Sequence, residues 1–248
     1  MIAWRNIEAP AAHALVEFCA KYRPFLSIHT GDALVERARS TVATQFLASQ
    51  DDVLLTIDSD ILFDPEDAYT ICRQAYDLRA IVAGVYSTRS WAKGAPSSLL
   101  NETPVVFDTD PTPVEVRWAA SGFMAIHRSV FEVMAARRPD MRMCHQGQGA
   151  AFQFMPFYHT RFADGPDGER ILLSEDFSLC ENARELGIST YVNPAVRLGH
   201  VGTMVYRLEH MGWKEPPVMP MRLTRDGLRY AVEADVPADL LVFAKGAR

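Results

Sequence analysis

Two aspartates separated by one residue are the first feature of the sequence that could do chemistry. Asp58 and Asp60 directly follow the apolar run at 53 to 57. Alternate residues of an extended chain face the same way, so both carboxylates are expected on one side at the strand's carboxyl end. Two converging carboxylates repel unless a cation lies between them, and Mg²⁺ or Mn²⁺ would leave positions free for diphosphate oxygens. The alternative is a solvated turn, which we assign to the similar pair Asp108 and Asp110 because prolines surround it.

Two later segments carry side chains of related chemistry. Glu175 and Asp176 stand at a predicted helix start, where the helix dipole favours carboxylates by ~0.5 kcal/mol. His200 is flanked by Gly199 and Gly202, and glycine allows the backbone to approach a ligand closely. Neutral imidazole is a common metal ligand. Each segment also has an ordinary structural interpretation, as a helix start and as a hydrogen-bonded histidine.

The segments around the two aspartates predict an alternation of strands and helices. Apolar runs predict strands at 24 to 30, 53 to 57 and 80 to 86. Helical spacing of apolar residues covers 33 to 49, and Asp64-Pro65 has the composition of a helix start. Strand, helix, strand, helix, strand is the order of a doubly wound α/β sheet.

The pattern is less regular after residue 86. Further elements are predicted as strands at 114 to 118, 122 to 126 and 189 to 192, helices at 129 to 137 and 174 to 185, a hairpin turn at 165 to 168, a loop at 199 to 202 and a helical tail at 205 to 248. Aromatic residues between 145 and 170 are candidates for contacts with a flat acceptor, with core packing as the equal alternative. They are Phe152, Phe154, Phe157, Tyr158 and His159, and Trp91 and Trp118 are open to the same two interpretations.

Composition restricts the class of protein. The 248 residues suit one α/β domain with a short appendage, and 48% hydrophobic with 23% charged residues is an ordinary globular mixture. A net charge of −6 makes nucleic acid an unfavourable partner without excluding it. No apolar run reaches the ~20 residues of a membrane span, and the first residues do not resemble a signal peptide. The four cysteines show no paired ligand spacing, which favours free thiols in the cytoplasm.

Four segments in order resemble one enzyme family. They are LLTIDSDILFDPED, AIVAGVYS, AASGFMAIHRSVFE and SEDFSLCENARELGISTYVNPAVRLGHVG. Together they are similar to the glycosyltransferases of the GT-A type, particularly compact bacterial and phage-type members related to family 2. The resemblance covers 24 to 204, implying one catalytic domain at 1 to 204 with the tail packed on it. It also implies a GT-A-like doubly wound mixed sheet, a Rossmann-like core that binds nucleotide-sugar, and a small acceptor-side subregion.

The resemblance also implies roles for individual residues. Asp58 and Asp60 correspond to the family's D-x-D motif, and His200 corresponds to the histidine that completes the metal site. Asp176, or failing that Glu175, corresponds to the base of an inverting enzyme. The remaining implied contacts are with the donor, from Ser59, Ser121, Gly122, His29, Thr30 and Arg39. The last three lie where the sequence departs from the family, and Arg39 could equally be a solvated helical arginine.

The predicted function is transfer of a sugar from a nucleotide-diphosphate sugar, such as a UDP- or GDP-sugar, to a hydroxyl acceptor such as a glycan, with Mn²⁺ or Mg²⁺. One alternative is a phosphatase of the haloacid-dehalogenase type, whose nucleophile lies in a similar Asp-x-Asp. A nucleotidyltransferase is disfavoured because the usual glycine-rich N-terminal signature is missing. A sugar- or nucleotide-binding module without catalysis is the remaining alternative.

Overall fold

A computed structural model of the chain describes residues 1–3, 6–89, 105, 107, 109–144, 153–165, 168–208, 221–226 and 229–234. The helices are α1 (Ala9–Tyr22), α2 (Val35–Ala48), α3 (Pro65–Leu78), α4 (Arg128–Arg137) and α5 (Glu175–Glu185), with a 3₁₀ turn at Pro139–Met141. The strands are β1 (Ile2–Ala3), β2 (His29–Thr30), β3 (Val53–Ile57), β4 (Ile61–Leu62), β5 (Ile81–Ala83), β6 (Val114–Val116), β7 (Phe123–His127), β8 (Met143–Cys144), β9 (Gln153–Phe154), β10 (Arg161–Asp164), β11 (Arg170–Leu173), β12 (Thr190–Val192), β13 (Gly199–Val201), β14 (Val205–Tyr206), β15 (Met221–Asp226) and β16 (Arg229–Ala234).

The central sheet has the strand order β3-β7-β5-β12-β6. Strands β5 and β12 are parallel, whereas β7 is antiparallel to both β3 and β5, and β6 is antiparallel to β12. The predicted α/β fold with a mixed sheet is therefore confirmed. Strands β3 and β5 are joined through α3 but are not neighbours, because β7 lies between them.

Helices cover both faces of this sheet. Along β7, Phe123 and Ala125 pack into the core cluster that contains α1 and α3, while Met124 and Ile126 pack into the cluster that contains residues of α2, α4 and α5. This alternation is the two-residue period of a strand that is buried on both faces. It gives three layers, with helices on either side of the sheet.

Helix α3 shows how closely local sequence determined one element. The Asp64 side chain accepts a hydrogen bond from the backbone N–H of Glu66 at 2.8 Å, and Pro65 occupies the first helical position. Ala68, Ile71 and Ala75 are fully buried, as their spacing predicts. Leu78 was expected to be buried too but is exposed, because it lies at the margin of the apolar stripe in the last turn.

Several other predictions need correction. The strand expected at 24 to 30 forms only as β2, which pairs with the two-residue β1, and Phe25 is 85% exposed. A strand extends only as far as a partner backbone runs beside it. The loop expected at 199 to 202 contains β13, which pairs with both β4 and β14. Helix α1 was not among the sequence-based predictions.

The remaining elements agree with the sequence more closely. Strands β10 and β11 form the expected hairpin, with Gly168 at a φ of 79° in its turn, although residues 166 and 167 lie outside the described part. Within 205 to 248 the described residues contain β14 and the hairpin of β15 and β16, so the expectation of a helix is wrong there. The domain boundary at 204 stays a prediction. Within the described ranges, no helix is long and apolar enough to cross a membrane.

Candidate active site

The turn that carries the two aspartates crosses the carboxyl end of β3. The backbone N–H of Asp58 donates to the carbonyl of Gly122 at 2.9 Å, which fixes the turn to the start of β7. The carbonyl of Asp60 accepts from the N–H of Val201 at 2.7 Å, next to the pairing of His200 with Ile61. Residues about 140 positions apart in sequence are therefore joined by main-chain hydrogen bonds.

Asp60 and His200 meet as the family resemblance implies. The Nε2 atom of His200 lies 3.4 Å from Oδ2 of Asp60, and both side chains are largely buried. Nδ1 of His200 lies 3.0 Å from the carbonyl oxygen of Ser87. A carbonyl can only accept, so Nδ1 donates in this bond and Nε2 is the ring nitrogen that faces Asp60. In the neutral ring Nε2 would carry a lone pair, and a cation between Nε2 and the carboxylate would bind both atoms.

Asp58 has a different partner. Its two carboxylate oxygens lie 2.8 and 2.9 Å from Nη2 of Arg39, and Nη1 of the same guanidinium donates to Glu175. Arg39 is only 5% exposed. Burial lowers the pKa of Arg39, but the two carboxylates outweigh this and raise it above the ordinary value, so the charge is retained.

The structure thus brings together two of the three expected metal ligands. Within the described ranges, no group of three or more His, Cys, Asp or Glu side chains lies together in a way that could hold a metal ion. Asp58 is drawn toward Arg39 because a buried guanidinium requires counter-charges. The solvated alternative for Arg39 is also wrong, and its contact with a nucleotide stays a prediction.

The two carboxylates at the start of α5, Glu175 and Asp176, have different hydrogen-bond partners. Oδ1 of Asp176 accepts from the backbone N–H of Phe177 at 2.8 Å and from the Ser174 hydroxyl, while Oδ2 lies 3.4 Å from the N–H of Ser121. Glu175 is bound to Arg39 instead. Burial and the neighbouring Asp176 raise the pKa of Glu175, against the opposing effect of Arg39.

The segment at Ser121 and Gly122 is tightly packed against this site. A Cβ atom at Gly122 would lie 2.4 Å from the hydroxyl oxygen of Tyr86 and 3.1 Å from Oδ2 of Asp58, so only glycine fits. The carbonyl of Ser121 accepts from the Thr56 hydroxyl at 2.9 Å. The two residues therefore bring β7 and β3 together beside Asp58.

The predicted donor contacts on the N-terminal side are less closely joined to the site. Ser59 is half-buried in the turn between β3 and β4, and its carbonyl accepts from the N–H of Glu8 at 2.9 Å. His29 and Thr30 form β2, in register with Ile2 and Ala3. Contact of these three predicted residues with a nucleotide remains a prediction.

Sequence reasoning missed two side chains of the site. Nη2 of Arg89 lies 2.6 Å from Oδ2 of Asp60. The ring of Tyr86 packs edge-on against the His200 ring, with centroids 5.3 Å apart. Tyr86 ends the apolar run at 80 to 86 and Arg89 follows it. That position was the available signal, since the carboxyl ends of parallel strands lie at one edge of a sheet.

The aromatic residues that the structure describes between 153 and 159 lie mainly in the core, which favours the packing interpretation for them. Phe157, Tyr158 and Trp118 are buried in the core cluster that contains residues of α2, α4 and α5, and Phe154 of β9 is also buried. His159 is half-buried, with Nδ1 2.8 Å from the carbonyl of Pro156. Phe152 and Trp91 lie outside the described residues.

One comparison with known proteins bears on the fold. No protein-family model matches the chain, and no curated protein matches it. The structure is similar to the crystal structure of A197 from STIV, with a TM-score of 0.50, 17% identity, and coverage of 81% of this chain and 83% of that one. The crystal structure of GalNAc-T7 with UDP, GalNAc and Mn²⁺ matches with a TM-score of 0.43, 15% identity, and coverage of 85% and 38%. The first likeness concerns the fold alone, and the second is too weak to add to it.

Proposed function

We propose that the protein is a metal-dependent glycosyltransferase that moves a sugar from a UDP- or GDP-sugar to a hydroxyl acceptor such as a glycan. The observation that carries the proposal is the approach of Asp60 Oδ2 and His200 Nε2 to 3.4 Å at the edge of the sheet where β3 ends. Because Nδ1 of His200 donates to the carbonyl of Ser87, Nε2 is the nitrogen directed at Asp60, where the neutral ring would offer its lone pair to a cation.

The donor set is compatible with Mg²⁺ or Mn²⁺. Such ions are commonly bound by only one or two side chains together with substrate phosphates, so Asp60 and His200 suffice. When bound, the ion would stabilise the negative charge that builds on the departing diphosphate. Asp58 would contribute through its place beside the site and not as a metal ligand, because both of its carboxylate oxygens are bonded to Arg39.

The base of the reaction would be Asp176. Glu175 is engaged by Arg39, whereas Asp176 is oriented by the N–H groups of Ser121 and Phe177. A carboxylate that accepts the proton of the attacking hydroxyl contributes about 10²- to 10⁴-fold to the rate. With one carboxylate as base and no covalent intermediate, the anomeric configuration would be inverted.

The same contacts weigh against a phosphatase. In that alternative Asp58 would attack phosphorus, yet both of its oxygens accept hydrogen bonds from a buried arginine. A carboxylate that is bonded in this way is a weaker nucleophile. Hydrolysis of p-nitrophenyl phosphate by the purified protein would nevertheless establish the phosphatase.

The decisive experiment is calorimetric titration of the purified chain with UDP-, GDP-, ADP- and CDP-sugars, with and without Mn²⁺. We expect one donor class to bind, more tightly with metal, and to be hydrolysed slowly to the free nucleoside diphosphate. Asp60→Asn should abolish the metal effect. Asp110→Asn is the matched control, because Asp110 is exposed and bonded within its own turn to Thr112. Binding that ignores metal would refute the proposal, and metal-dependent binding without turnover would indicate a binding module.

A further inference from the structure

One oxygen of Asp60 has two partners. Nη2 of Arg89 lies 2.6 Å from Oδ2, and Nε2 of His200 lies 3.4 Å from the same atom. The Arg89 side chain is 50% exposed, so its guanidinium can leave this position without losing a buried environment. A positive charge that belongs to the protein therefore occupies part of the space around the proposed metal ligand.

The side chain of Arg89 packs against Gly202, which lies between β13 and β14. A Cβ atom at Gly202 would lie 3.0 Å from Cδ and 3.7 Å from Cγ of Arg89. The aliphatic part of Arg89 thus lies on the backbone two residues beyond His200, where any other residue would crowd it. The second glycine of the Gly-His-Val-Gly segment therefore accommodates Arg89 beside Asp60.

A divalent cation at Asp60 would compete directly with this guanidinium. Two cations on one carboxylate oxygen repel, and the ion would also bind Nε2 of the neutral His200 ring, which faces the same oxygen. The displaced guanidinium, which lies beside Asp60, would be available to phosphates that accompany the ion. Guanidinium groups bind phosphate oxygens in a bidentate manner.

We propose that Arg89 exchanges partners, binding Asp60 in the metal-free protein and the donor diphosphate once a divalent cation has bound. This inference rests on the proposed function. Removal of Arg89 should therefore have two effects of opposite sign, because Arg89 opposes binding of the metal but assists binding of the nucleotide. If Arg89 formed only a surface ion pair, its removal would strengthen metal binding alone. If Arg89 were only a phosphate ligand, its removal would weaken nucleotide binding alone.

The test is calorimetry on Arg89→Ala with Mn²⁺ alone and then with UDP and GDP at saturating Mn²⁺. We expect Mn²⁺ to bind about two- to fivefold more tightly, as removal of a half-exposed ion pair allows. We expect the nucleotide to bind about tenfold more weakly, through loss of a charge-assisted hydrogen bond. Arg89→Lys should leave Mn²⁺ affinity near that of the wild type and give an intermediate nucleotide affinity.

Arg73→Ala is the matched control, since it removes the same charge from an exposed pair with Asp77 in α3 and should change neither affinity. Unchanged Mn²⁺ affinity in Arg89→Ala would overturn the exchange, as would unchanged nucleotide affinity. If the wild-type protein binds neither Mn²⁺ nor a Mn²⁺–nucleotide pair, the proposed function falls and the exchange with it. Folding of each variant is checked by its thermal unfolding midpoint.

Discussion

Replacing Arg39 by methionine should remove the charge that holds the site together. The substitution keeps a side chain of similar length but leaves the carboxylates of Asp58 and Glu175, which are 30% and 16% exposed, without their shared partner. Breaking a buried ion pair by removing one member costs about 3–5 kcal/mol, because the remaining charge is left desolvated. We expect the free energy of unfolding to fall by about that amount at pH 7.

The loss should depend on pH with a definite sign. Without Arg39 the pKa of Glu175 rises further in the folded state, because burial and the neighbouring Asp176 are no longer opposed by the guanidinium. A raised carboxyl pKa means that the folded state binds more protons than the unfolded state, so stability increases as pH falls. The difference between Arg39→Met and wild type should therefore shrink between pH 7 and pH 5.

Urea unfolding followed by circular dichroism at both pH values measures these quantities, and the melting temperature should fall by about 6–20 °C. Arg37→Met is the control, since Arg37 lies on the same helix in a more exposed pair with Asp32 and should cost about 1 kcal/mol or less. The double variant Arg39→Met/Glu175→Gln should recover part of the loss. If Arg39→Met does not fold, Arg39→Lys, which can satisfy only one carboxylate, provides the measurement. A loss below about 1 kcal/mol, or an equal loss at pH 5 and pH 7, would refute the reasoning.

Three further predictions concern the acidic groups and the histidine. In steady-state kinetics, Asp176→Asn should lower the rate of sugar transfer about 10²- to 10⁴-fold, whereas Glu175→Gln should lower it considerably less. A larger loss in Glu175→Gln than in Asp176→Asn would identify Glu175 as the base. Asp60→Asn and His200→Ala should each weaken Mn²⁺ binding at least about tenfold in calorimetry, and smaller changes would count against a metal shared by the pair. Burial raises the pKa of Glu181, but hydrogen bonds from two arginines and a tryptophan outweigh it and lower the pKa from 4.5 to about 2. The ionised Glu181 carboxylate should stabilise the folded protein by about 3 kcal/mol at pH 7, and this stabilisation should be lost as pH falls from about 5 to 2. In urea unfolding at several pH values, Glu181→Gln should make the free energy of unfolding less dependent on pH over that range. An unchanged pH dependence in Glu181→Gln would contradict the lowered pKa of Glu181.

Local sequence determined the elements that position the site. The run at 53 to 57 forms β3 with the predicted bounds, and Asp64-Pro65 begins α3 as predicted. Such patterns act through residues only a few positions apart, by strand alternation and by capping of free N–H groups. The placement of Asp58 and Asp60 after a strand of the central sheet could therefore be predicted from neighbouring residues alone.

Only the tertiary structure decided which side chains meet. Arg39 and Glu175 are 136 positions apart, and nothing near either one indicates that they form an ion pair. The insertion of β7 beside β3 brings Gly122 against Asp58, and the pairing of β13 with β4 brings His200 to Asp60. Partner choice among charged groups depends on burial and on competing counter-charges, and these exist only after the strands have assembled. For that reason the sequence, through its family resemblance, predicted that Asp60 and His200 lie together, but it did not predict that Asp58 would pair with the buried Arg39.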